Sequence, residues 1–134
     1  MKTNKIVLIA LLMGGFALLS SAAFSQTEWN IPDKYKSMEN PYTNAEDDDD
    51  IGEDLYERHC ASCHGDEGYG DGKKAARLKT PMRDLTLEEV QSQSDGVLYY
   101  KSIVGKDEMP NFEKKIRYKK DRWLLVNYIK RLDE

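Results

Sequence analysis

The pentapeptide Cys60-Ala-Ser-Cys63-His64 constrains this chain more than any other stretch. It holds both of the cysteines and one of the two histidines. On a helix, Cys60, Cys63 and His64 stand at i, i+3 and i+4, which puts two thiols and an imidazole on one face. Gly65 follows, and glycine tolerates the left-handed conformation that ends helices.

Three chemistries compete for these residues. A thioredoxin-like redox pair or a disulfide needs only the two cysteines and leaves His64 unexplained. A structural zinc ion takes four ligands, and His59, adjacent to Cys60, faces a different direction. Cys-x-x-Cys-His is also the attachment signature of a c-type haem. Two thiols at this spacing can bond the two vinyl groups of one haem, and the imidazole can reach the iron from the same side. Only this third chemistry uses all three residues.

The run from Gly52 to Gly65, the Met109-Pro110 pair and the terminal segment Leu125-Val-Asn-Tyr128-Ile together resemble a class I cytochrome c over about residues 51 to 132. The resemblance implies an all-α, small cytochrome c fold whose N- and C-terminal helices cross, with roughly four or five short helices around one covalent haem c. It implies that Cys60 and Cys63 are the covalent tethers and that His64 and Met109 are the cofactor-binding axial ligands of the iron. Gly52 falls where the family lets the last helix pack closely, near Tyr128, and Tyr56 falls at the family's aromatic position. Gly52→Leu is then expected to overpack the crossing. The resemblance also implies a proline carbonyl accepting from the proximal histidine's free ring nitrogen, and Pro81 is the one proline between His64 and Met109.

The thioether of methionine is a soft ligand suited to haem iron opposite histidine. Met38 lies in a linker, Met82 follows Pro81, and Met109 sits in a Gly-to-Pro loop after a helix. The last of these matches the family's ligand loop, with Met82 as the rival.

The N-terminus has the pattern of a secretory signal peptide over residues 1–25. Lys2 and Lys5 precede an apolar run of 14 residues, Ile6 to Leu19, and a stretch of small residues ends at Ser25. Fourteen residues is short for a membrane span, and an uncleaved anchor is the rival reading. Residues 26–50 read as a flexible acidic linker, with 8 acidic residues against 2 lysines and the run Glu46 to Asp50. An alternative is that Trp29, Tyr35 and Tyr42 dock onto a partner subunit.

Residues 51–134 form the expected cytochrome c domain, with 16 charges of each sign. This small core is expected to need the buried porphyrin to fold. Asp50 and Glu53 form a capping-box pattern for a first helix that continues through the motif. Gly65 to Gly72, with four glycines, reads as a tight loop. A short helix is expected over 73–79, and Thr86 to Glu89 is a capping box for another. Ser94 is placed to cap a helix over 95–104, ended by Gly105. A last helix from about Asp121 to Leu132 carries the stripe Leu125, Tyr128, Ile129 and Leu132.

The resemblance implies one-electron transfer in an exported respiratory chain, with redox protein partners such as a quinol-oxidising complex, a terminal oxidase or a reductase. The chain would be a free periplasmic carrier or a subunit bound at the outer face of the inner membrane, in a membrane complex. With both axial positions filled, no small-molecule substrate and no enzymatic role are expected. The alternative is a haem enzyme or gas-binding sensor with an open distal iron. Lys114 to Arg122 holds six basic residues that either form a solvated turn or steer an acidic redox partner. Nucleic acid does not suit an exported, net acidic chain.

Overall fold

The last helix has too much apolar surface to stand alone, and the fold is built by covering it. In the computed structural model, residues 28–132 are described; the signal peptide expected over 1–25 and its cleavage point lie outside them. Among the described residues there are six α-helices and no β-strand. In chain order they are α1 (Asp33–Lys36), α2 (Ile51–His59), α3 (Ala61–His64), α4 (Glu88–Gln91), α5 (Asp95–Tyr99) and α6 (Lys119–Ile129). A 3-10 turn spans Ala75–Arg77, and α5 runs on into a π-helical turn, Tyr100–Val104.

α2 and α6 cross, as the resemblance implied. The crossing is closest at Gly52, where an added Cβ would lie 2.5 Å from the Leu124 carbonyl oxygen. Tyr128 is not the residue opposite Gly52. It lies a turn further on, tilted against Tyr56 with ring centroids 5.3 Å apart. Tyr56 is fully buried and donates its hydroxyl to the Gly65 carbonyl at 2.8 Å, tying α2 to the exit of the motif.

The N-cap differs from the sequence expectation. Asp50 is itself left-handed, with φ 51°, and its side chain makes no capping bond. Asp47 caps instead, its two carboxylate oxygens accepting from Ile51 N at 2.9 Å and Gly52 N at 2.7 Å. The helix is also not continuous through the motif. It breaks at Cys60 (φ −115°, ψ −44°), which separates α2 from α3.

The linker expectation is corrected over residues 29–43. This segment is a strap packed on α5 and α6: Ile31 and Tyr35 are buried, and Trp29, Met38 and Tyr42 pack against the core. Tyr35 lies between Tyr99 and Tyr100, with centroids 6.4 and 4.7 Å away, and Trp29 meets Tyr100 edge-on. The approach is close enough that a Cβ on Gly96 would collide with the Tyr35 carbonyl oxygen and reach within 2.7 Å of that of Met38. Asn40 closes the junction, donating to Asp95 Oδ2 at 3.1 Å and Asn127 Oδ1 at 2.7 Å, while Asn127 donates to the Tyr42 carbonyl at 2.8 Å. Aromatic burial offsets the acidic charge of the segment, which is concentrated past residue 45.

α6 is buried beyond its expected stripe. Trp123, Leu124 and Val126 are buried as well as Leu125 and Ile129, because α6 meets α2 on one side and α5 on another. Asp95 pairs with Lys130 at 2.7 Å across the α5–α6 contact.

The remaining local patterns hold in part. The 73–79 segment forms only the 3-10 turn, and α6 begins two residues earlier than Asp121. Thr86 caps no helix; its backbone N–H and hydroxyl both bond Asp84 Oδ1, at 2.9 and 2.7 Å. Ser94 is the first residue before α5, in extended conformation, but its side chain makes no capping bond.

Candidate metal centre

The motif is placed by α3 and by the break that precedes it. Cys63 N and His64 N both donate to the Cys60 carbonyl, at 3.0 and 2.9 Å, so the two thiols and the imidazole share one tight turn. Cys60 is buried and belongs to the apolar core; Cys63 and His64 are half-buried. The turn is held from outside by Lys74 N donating to the Ser62 carbonyl at 2.8 Å and Gly70 N donating to that of His64 at 2.7 Å.

Burial sets the chemistry of these groups. It pushes the Cys60 thiol up to about 12, with Cys63 adding to the rise. A buried, raised thiol at Cys60 lends no support to a thioredoxin-like nucleophile at that position. Burial lowers the His64 pKa, which keeps the imidazole neutral with a lone pair available to a metal. His64 Nδ1 is buried with no hydrogen-bond partner. An orphaned buried nitrogen beside two thiols is costly unless a further group completes the site.

Pro81 does not supply that partner. It is exposed, and no hydrogen bond joins it to His64. Among the described residues no three His, Cys, Asp or Glu side chains gather to hold a bare metal ion. Two thiols at attachment spacing beside His64 could instead hold a macrocycle that supplies a metal's other donors.

The methionines separate clearly. Met109 is half-buried and packs against the same core cluster as Cys60. Met82 is half-buried beside Gly70 and outside that cluster. Met38 packs on the core through the strap, with its backbone against Gly96, and packing accounts for it. Sequence reasoning missed the polar contacts around the Met109 loop, because they join residues far apart in the chain.

The chain matches the family described as cytochrome C oxidase, cbb3-type, subunit III over residues 47–129, more than half of its length. It belongs to that family. The matched residues take in the Cys60-to-His64 motif, Met109 and the crossing of α2 with α6, so the family match and the class I cytochrome c resemblance fall on the same domain. Solved structures agree. A chain of the Kuenenia stuttgartiensis reducing HAO-like protein complex Kustc0457/Kustc0458 is 29% identical, with a TM-score of 0.56 over 63% of this chain and 43% of that one. This chain thus spans less than half the length of that relative. The KustC0563 c-type cytochrome is 26% identical, with a TM-score of 0.52 over 62% of this chain and 98% of its own. No curated protein matches the sequence.

In the basic run, Arg122 has a structural task. It donates to the Ile116 and Glu113 carbonyls at 2.7 and 2.5 Å and to the Tyr99 hydroxyl at 3.3 Å. Lys114, Lys115, Arg117, Lys119 and Lys120 are exposed around Tyr118, which is 74% exposed.

Proposed function

We propose that this chain is a one-electron carrier in which Cys60 and Cys63 tether one haem c and His64 and Met109 are its axial ligands. Bound haem supplies an iron that alternates between ferrous and ferric, one electron at a time. The protein's residues do the rest. His64, neutral because it is buried, offers its lone pair; the tethers fix the macrocycle against α3; Met109 offers a thioether that raises the reduction potential. The observation that carries this reading is the shared core: Cys60 is buried in the apolar cluster and half-buried Met109 packs against it, while Met82 does not.

The chain would work beyond the cytoplasm in a respiratory chain, exported by the segment at residues 1–25 and held in a membrane complex at the periplasmic face. The family description as an oxidase subunit supports an assembled role, as does the likeness to a chain of a reducing HAO-like protein complex. Its partners are then redox proteins rather than small substrates. A haem enzyme with an open distal iron remains the competing class, and it requires that Met109 not ligate.

Separate substitution of the two methionines tests the assignment. Met109→Ala should convert a low-spin iron to one that binds carbon monoxide readily in the ferrous state, and Met82→Ala should leave the spectrum unchanged. The reverse pattern assigns Met82. A parent protein that is already high-spin assigns the open-site class.

A further inference from the structure

The residue beside Met109 makes contacts that the proposed function does not use. Glu108 is exposed, yet its carboxylate reaches across the surface to another loop. Oε1 accepts from the backbone N–H of Lys79 at 3.0 Å, and Oε2 accepts from that of Thr80 at 2.9 Å. The pairs are 29 and 28 residues apart in sequence. Neither N–H has a backbone partner among the described residues.

Glu108 belongs to a turn that is compact but narrowly attached. Gly105 and Asp107 are left-handed, with φ 72° and 54°, and Met109 N donates to the Lys106 carbonyl at 2.9 Å. The base of the turn is fixed to the π-helical turn by Gly105 N to the Tyr100 carbonyl at 3.0 Å and Phe112 N to that of Ile103 at 2.8 Å. Apart from the packing of Met109 on the core, a compact turn fixed mainly at its base can pivot as a unit. Lys106 Nζ adds one contact near the tip, to the Glu28 carbonyl at 3.1 Å. Glu108 adds two, onto adjacent amides, so that both rotation and lift of the tip are resisted.

We propose that Glu108 is a positioning residue that clasps the Lys79–Thr80 backbone and thereby holds the Met109 thioether in its ligating place. This rests on Met109 being the distal ligand. A carboxylate suits the task because it brings two acceptors to two neighbouring donors, whereas an amide brings one. Releasing the clasp raises the fraction of molecules in which the thioether is off the iron. An outside ligand binds that fraction, so its apparent rate rises in proportion.

The test uses the full-length holoprotein with Glu108→Ala, Glu108→Gln, Met109→Ala and a control, Glu113→Ala. Glu113 is an exposed acid near the same turn whose carboxylate, among the described residues, meets only Asn111 Nδ2, at 3.1 Å. Carbon monoxide is mixed rapidly with the ferrous proteins, and reduction potential and thermal midpoint are recorded alongside. The expected gain in carbon monoxide rate is about tenfold for Glu108→Ala and smaller for Glu108→Gln. The potential should fall in the same order, and Glu113→Ala should match the parent. A parental rate in Glu108→Ala, with Met109→Ala fast, overturns the clasp while leaving the ligand assignment intact. A Met109→Ala protein that binds carbon monoxide no faster than the parent overturns both. Equal gains in Glu108→Ala and Glu113→Ala overturn the clasp in favour of a general charge effect. If Glu108→Ala fails to mature, Glu108→Gln decides alone, and a parental rate there overturns the proposal.

Discussion

The turn that bears His64 and the loop that bears Met109 are held in place by opposite means. Around His64 the support is local: Cys63 and His64 both bond the Cys60 carbonyl, and Gly70 and Lys74 return within ten residues or so to brace the turn. Around Met109 the decisive contacts come from far away in the chain, from Lys79 and Thr80 to Glu108 and from Glu28 to Lys106. Local hydrogen bonds are lost only when the helix itself unwinds. Long-range surface contacts are lost one at a time and at little cost to the rest. The His64 turn is therefore built to be permanent, and the Met109 loop is built so that single residues can adjust it.

The sharpest way to break this contrast is to remove the cofactor's attachment. Changing both Cys60 and Cys63 to Ser should leave a chain with most of its helical signal gone, because on the proposed reading a porphyrin completes the core that Cys60 and Met109 share, and a domain this small has little apolar area to spare. Far-ultraviolet circular dichroism measures this directly. A haem-free variant with native helicity and cooperative melting would show that the local bonds around His64 stand without the group they surround.

Next in size is the helix crossing behind the proximal turn. A Cβ at position 52 already presses on the Leu124 carbonyl, so Gly52→Leu should cost about 1–3 kcal/mol by overpacking, read as a lower denaturant midpoint. The distal ligand should be unaffected, so the carbon monoxide rate of the folded protein should stay at the parental value. If that rate rises as well, the two sides of the site are coupled through α6, and the division between a permanent and an adjustable side is too simple.

Sequence legibility follows the same division. Cys60, Cys63 and His64 are legible because helical spacing fixes their relation, and Gly52 and Tyr56 because the family resemblance implies their places; the structure puts them on α2, α3 and their junction. The strap is not legible in the sequence, because its composition is that of a linker. What holds it is the meeting of Tyr35 with Tyr99 and Tyr100, a contact spanning more than half the domain, and no local period announces such a contact. The same is true of Pro81. It is suitably placed in sequence order, yet the chain leaves it exposed and leaves His64 Nδ1 unpartnered. Asp50 failed as a cap for a different reason. Five consecutive acids offer five candidates, and only the backbone path decides that Asp47 faces the free N–H groups.

Gly96→Ala tests the strap through the sign of its effect. In an ordinary helix interior, replacing glycine by alanine stabilises by up to about 1 kcal/mol. Gly96 is buried in α5, and its new methyl would collide with the Tyr35 carbonyl. The substitution should therefore lower the thermal midpoint, and in a protein truncated before Ala45 it should raise it. A stabilising effect in the full-length protein would mean that the strap does not rest on α5.

The smallest expected effect separates two neighbouring acids. Asp47→Ala removes both carboxylate bonds to the free N–H groups of Ile51 and Gly52, and should cost about 1 kcal/mol. Asp50→Ala removes no side-chain bond, and its remaining consequence comes from the left-handed backbone at that position, where aspartate is better tolerated than alanine. Asp50→Gly isolates that backbone contribution, since glycine adopts the conformation freely. Asp47→Ala should thus be destabilised relative to the parent while Asp50→Gly is not. Because the Asp47 carboxylate also lies 3.1 Å from where a Gly52 Cβ would sit, combining Asp47→Ala with Gly52→Ala should cost less than the two single changes added together. Strict additivity would place the cap and the crossing in separate parts of the fold, and would leave the proximal frame less unified than its local bonds suggest.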